Sequence, residues 1–194
     1  MKYFFITIFC VLISGQSLYA QDYKSDLSIR IRYYSNGKEF ITEVFRKAKR
    51  ALIVFTREDS ISKEVKKDER FVKFFNALNS KDSSARSESK SIDFKPLAKI
   101  IKEYTYYSKD SVRVNLQKHR TFEELLSKVA DPADNEPEIE MERMKNRHIL
   151  DGTAYLVQIK TVNQVRTFQL SSPTPASHSL FYKIIHEPLK FKKF

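Results

Sequence analysis

The chain has 194 residues, 35 Lys+Arg against 24 Asp+Glu, three Gly, one Cys and no Trp, for a formal charge of +11. Collagen-like, low-complexity and disulfide-scaffold classes each need an excess of Gly, Pro or Cys that is absent here. With 41% hydrophobic and 13% aromatic residues, the chain has enough apolar surface to offset chain entropy, which argues against intrinsic disorder.

At the start, Met1-Lys2 precede the apolar stretch Tyr3 to Ile13, the polar Ser14 to Ser17, and Leu18-Tyr19-Ala20. A basic start, a short apolar run and a small residue at the cut make a secretory signal peptide, expected over residues 1–20. About eleven apolar residues are too few to span ~30 Å of hydrocarbon. No second run of spanning length follows, so no transmembrane span is expected after processing. Cleavage after Ala20 would remove Lys2 and Cys10, leaving +10 and no cysteine. Disulfide and thiolate chemistry are then excluded, and the destination is periplasmic or extracellular, in a bacterium by its lack of disulfides.

Leu27, Ile29, Ile31 and Tyr33 alternate with Ser28, Arg30 and Arg32, the pattern of a half-buried strand ended by Ser35-Asn36-Gly37. Residues 38–50 admit two readings. Phe40, Ile41, Val44, Phe45 and Ala48 share one helical face, whereas Asn-Gly and the β-branched and aromatic content signal a hairpin. The apolar spacing favours the helix. Ala51 to Thr56 reads as a buried strand. From Ser60 a helix is predicted, with Val65, Phe71, Val72, Phe75 and Leu78 inside and Lys63, Lys66, Lys67, Arg70 and Lys73 outside.

The Ser- and Lys-rich stretch near 79–91 is predicted to be a mobile loop. Pro96 fits a first helical turn ahead of Leu97, Ile100, Ile101 and Tyr104. Val112, Val114 and Leu116 alternate as a short strand, and Thr121-Phe122-Glu123-Glu124 has capping-box spacing before Leu125, Leu126 and Val129. Residues 131–142 hold six acids, two prolines and no Lys or Arg, which predicts a loop or linker, mobile over about 131–145. Tyr155 to Thr161 and Val165 to Leu170 form a hairpin about Asn163-Gln164. Ser177 is placed to cap a helix carrying Leu180, Phe181, Ile184 and Ile185, stopped by Pro188. Leu189 to Phe194 alternates apolar residues with Lys, as a protected edge strand does.

Locally paired strands separated by helices of about three turns imply an α+β fold. The expectation is an antiparallel or mixed sheet with helices packed on one face, in a single domain over 21–194. A doubly wound parallel sheet would need repeated all-apolar strands, and only Ala51 to Thr56 has that character.

Of the four histidines, His119, His148, His178 and His186, none lies in a metal-binding spacing. His178 and His186 suit the start and end of a helix. His148-Ile149-Leu150-Asp151-Gly152-Thr153 joins a base, a carboxylate and a hydroxyl, but Asp-Gly before a strand reads first as a turn. No nucleophile elbow is present, and too few glycines exist for a phosphate-binding loop. Glu136, Glu138, Glu140 and Glu142 would line one side of an extended segment toward a hard cation, without the spacing of an EF-hand. No catalytic residue, metal or cofactor is therefore assigned.

Basic residues cluster at Arg46, Lys47, Lys49 and Arg50, and at Lys66, Lys67 and Arg70. These seven are the candidate polyanion- or partner-binding residues. Export points away from nucleic acid and toward an acidic protein or an anionic envelope component. A basic balance also serves solubility alone. The expectation is a non-enzymatic exported binding protein with a basic surface, possible forms being an inhibitor or an immunity-type partner. Its rivals are an envelope hydrolase using His148 and Asp151, and a structural or secretion-machinery subunit marked by an exposed apolar patch. The acidic segment either docks on the chain's own basic surface or leaves that surface free.

Overall fold

Leu27, Ile29 and Ile31 are buried while the residues between them are not, so the predicted alternation is realised in strand β1 (Leu27–Ser35). The computed structural model describes residues 25–79, 93–131, 133–144 and 153–193. The predicted signal peptide, the serine-rich loop from 80 onward and the His148–Asp151 stretch lie outside them. The other strands are β2 (Lys38–Lys47), β3 (Arg50–Ile61), β4 (Thr105–Asn115), β5 (Ala154–Thr161) and β6 (Val165–Ser171). They form an antiparallel sheet in the order β4-β3-β2-β1-β5-β6. Five helices are described: α1 (Glu69–Asn79), α2 (Lys95–Glu103), α3 (Arg120–Ala130), α4 (Glu136–Met144) and α5 (Ser179–His186). The fold is α+β, as the sequence predicts.

Residues 25–55 with 110–193 make one compact unit, and residues 56–109 make another. In the first, register sets the core: Ile29 lies opposite Val44 on one side and Ile159 on the other, and Val157 lies opposite Phe168. Helices α3 and α5 add Phe122, Leu126, Phe181 and Ile184 to the same cluster. The alternate residues Ser28, Arg30 and Arg32 fall on the opposite face, where Arg30 and Arg32 approach Glu43 and Glu39 at 3.7 Å each. In the second unit, Val65 and Ile100 are the buried hydrophobic side chains among the described residues.

Several elements differ from the sequence-based expectation. Residues 38–47 are a strand, not a helix. Asn36 and Gly37 both take positive φ, 51° and 72°, the geometry of a two-residue turn whose twist matches the flanking strands. Phe40 and Val44 face the core, while Ile41 and Phe45 lie on the other side of β2. Apolar residues on both faces of a strand imitate helical spacing.

Strand β3 continues to Ile61, and a 3₁₀ turn over Lys63–Lys67 is capped by Ser62, whose Oγ accepts the Glu64 N–H at 3.2 Å. Helix α1 therefore starts only at Glu69. Strand β4 is longer than Val112 to Leu116, and Leu116 itself sits in a 3₁₀ turn. The predicted caps fail: α3 follows His119 and α5 follows His178, neither with a side-chain cap bond. Ser177 is paired with Thr174 instead. The chain end is a 3₁₀ turn, Pro188–Phe191, not an edge strand. Phe191 there packs against Phe122 and edge-on to His119, at 5.2 and 4.9 Å between ring centroids.

Candidate binding surface

The seven basic candidates separate by environment. In the larger unit, Arg46 lies opposite Leu27, on the core side of β2. Its Nε is 3.4 Å from Asp26 Oδ1, and Nη1 donates to Ser127 Oγ on α3 at 3.3 Å. It ties the sheet to a helix and is not available to a partner. Lys47, Lys49 and Arg50 instead crown the tight β2–β3 connection. All three are exposed, and among the described residues they have no ion pair.

In the smaller unit, Lys66 is exposed, while Lys67 pairs with Glu64 at 2.9 Å. Arg70 lies between two carboxylates, with Nη2 2.7 Å from Asp68 Oδ2 and 2.6 Å from Glu103 Oε2. Asp68 also accepts the Arg70 backbone N–H at 2.8 Å and the Tyr104 hydroxyl at 3.0 Å. Hydrogen bonding to Arg70 holds the Asp68 and Glu103 carboxyls below their ordinary range. Donation to Asp68 raises the Tyr104 phenol. This network fixes the start of α1 to the end of α2, so Arg70 is structural.

The acidic segment is helical where the sequence predicts a loop or linker. Helix α4 disperses the four alternating glutamates. Glu136 Oε1 faces Arg143 at 3.9 Å and Glu138 Oε2 faces Arg166 at 3.6 Å. Glu140 is 2% exposed, its two oxygens accepting the backbone N–H groups of Leu180 and Phe181 at 2.9 and 3.1 Å. The segment thus packs onto α5 and Arg166, and among the described residues no ion pair joins it to any of the seven candidate cations.

Helices α3, α4 and α5 enclose a cleft of about 240 Å³, whose lining includes Lys128, Lys183, Glu136 and Glu140. Glu140 is committed to helix amides there and is no free base. Of the described histidines, His178 is buried ahead of α5, and His186 stacks on Tyr182 at 4.2 Å, its pKa lowered by burial. Among the described residues, no three His, Cys, Asp or Glu side chains come together as a metal site, and no helix is long and apolar enough to cross a membrane.

The structure also displays a surface that the sequence does not single out. Phe71, Phe74 and Phe75 on α1 adjoin Phe94, through contacts of 4.6, 6.3 and 6.0 Å between successive ring centroids. The sequence places Phe71 and Phe75 on the inner stripe of a helix, yet Phe75 and Phe94 are 40% and 54% exposed. No family model, no curated protein and no solved structure matches the chain.

Proposed function

We propose that the chain is an exported binding protein that engages an anionic macromolecule through the β2–β3 turn, in the manner of an inhibitor or immunity-type partner of an acidic protein. The observation that carries this reading is the isolation of Lys47, Lys49 and Arg50. Three exposed cations lie within four residues with no ion pair among the described residues, while the chain's acidic segment is engaged elsewhere. Their mutual repulsion is relieved by a countercharged surface, and such a field speeds association with one. The turn joins two paired strands, so the three side chains are displayed on a rigid support with little ordering left to do on binding.

The test is salt-gradient elution of the processed chain from immobilised polyglutamate. Replacing Lys47, Lys49 and Arg50 together by serine is expected to lower the eluting salt concentration well below that of a control with Lys109, Lys118 and Lys193 replaced by serine. Equal elution of the two triple variants would reject the turn as the binding element, because both lose the same charge.

A further inference from the structure

The unit formed by residues 56–109 carries a partly exposed cluster of apolar side chains. Four phenylalanine rings touch in a row, Phe71–Phe75–Phe74–Phe94, and Val72 beside them is 41% exposed. A patch of adjoining apolar rings left in water marks an interaction site. Phe94 occupies the N-cap position of α2, and the next residue begins a stripe of cations. Lys95, Lys99 and Lys102 recur at i, i+4 and i+7 along one face of that helix, all exposed and without an ion pair among the described residues. Of the neighbouring acids, Glu103 feels the charge of Lys99 but forms no ion pair with it among the described residues. Asp68 and Glu103 are held by Arg70, and Asp93 accepts the Lys95 backbone N–H at 3.0 Å.

We infer that this phenylalanine and lysine face docks the protein peripherally on an anionic lipid bilayer. Phe75 and Phe94 would enter the boundary between headgroups and acyl chains, and the α2 lysines would meet lipid phosphates. Rings beside a cationic helix face are the arrangement by which a protein lies on a membrane without crossing it. Charge selects this occupant over a second copy of the chain, since two such faces would bring like-charged lysine stripes together. The inference is independent of the β2–β3 turn.

The chain has no tryptophan, so Phe94→Trp makes a single fluorescent reporter in the processed protein. The probes are vesicles of phosphatidylglycerol with phosphatidylethanolamine, and vesicles of phosphatidylcholine alone. Anionic vesicles are expected to shift the Trp emission to the blue and to co-sediment with the protein, with binding weakened by salt. In co-sedimentation of the otherwise unchanged chain, Phe75→Ser with Phe94→Ser is expected to lower partitioning at least tenfold. Each lysine-to-glutamine change at 95, 99 and 102 is expected to lower it roughly fivefold, as one cation near an anionic surface contributes. The Lys47/Lys49/Arg50 triple variant should still shift its Phe94→Trp emission. Absence of the blue shift, equal binding to phosphatidylcholine, or unchanged partitioning of the lysine variants would overturn the inference. So would a Phe75-dependent dimer in sedimentation equilibrium, or Phe75-dependent binding to an acidic amphipathic peptide without vesicle binding. Because the lysine variants lie on an exposed helix face, they report on docking even if the double phenylalanine variant unfolds.

Discussion

The Glu140 carboxylate accepts the backbone N–H of Leu180 at 2.9 Å across forty positions of sequence, and with its second oxygen that of Phe181 at 3.1 Å. Helix α5 thus receives from α4 the cap that its own N-cap residue, His178, does not supply. A carboxylate there satisfies two otherwise orphaned donors and meets the positive end of the helix dipole. Glu140→Ala is expected to destabilise the larger unit by about 2–3 kcal/mol, the range for losing charge-assisted hydrogen bonds at a buried site. Glu140→Gln, which keeps one acceptor, should lose about half of that. Urea denaturation measures both, and a loss below ~0.5 kcal/mol for the alanine variant would contradict the capping role.

That relationship also explains what could be read from the sequence. The β1 strand, the β5–β6 hairpin and the apolar stripes of α3 and α5 were legible because each is written in local periodicity. The acidic segment was not. Its prolines and lack of Lys or Arg argue for a solvated loop, whereas the groups that pack it as a helix include ones distant in sequence, Arg166 on β6 and the α5 amides. Residues 38–47 misled because a strand with apolar residues on both faces carries helical spacing. The basic clusters were visible as composition, but which members are free depends on partners such as Asp26, Ser127 and Glu103, all far from them in sequence.

Arg166 is a second long-range tie. It lies on β6 with an 11% exposed side chain. Nη2 donates to the Val129 carbonyl at the end of α3, at 2.6 Å, and Nη1 to the Asp134 carbonyl at 3.0 Å. One guanidinium thereby closes the last turn of α3 and holds the chain entering α4. Arg166→Met keeps the stem packing and removes these donors, so about 2–3 kcal/mol of stability should be lost. Amide hydrogen exchange should accelerate first in α4 and the last turn of α3. Uniform acceleration across the sheet would instead indicate a general core defect.

The β2–β3 turn carries a small strain. Ala48 has φ 51°, a left-handed conformation that costs an ordinary residue roughly 1–2 kcal/mol and glycine almost nothing. Against this, glycine adds entropy to the unfolded chain, worth up to ~1 kcal/mol. Ala48→Gly should therefore leave the melting temperature equal or raised by a few degrees, whereas Ala48→Val, β-branched at positive φ, should lower it. Elution of the glycine variant from polyglutamate should match that of the unaltered chain, since the three cations beside it are kept. A marked drop in melting temperature on Ala48→Gly would show that the turn is not strained.

The smaller unit has a pH window set by its Asp68–Arg70–Tyr104 network. Hydrogen bonding to Arg70 lowers the Asp68 pKa in the folded state. Asp68 then contributes stability above the ordinary carboxylate range and loses it as pH falls through the acid region. Tyr104 is shifted upward, mainly by its hydrogen bond to Asp68, so its neutral form is favoured. Its contribution is complete below the ordinary phenol range and lost as pH rises beyond it. Asp68→Asn removes the charge that links both groups. Hydrogen exchange of α1 and α2 followed against pH should show protection falling toward acid in the unaltered chain, with a shallower fall in the variant. The Tyr104-linked alkaline loss should also be shallower in the variant, because without the Asp68 anion the phenol is no longer held above its ordinary range in the folded state. An acid limb that keeps its full slope in Asp68→Asn would assign the transition to other carboxylates.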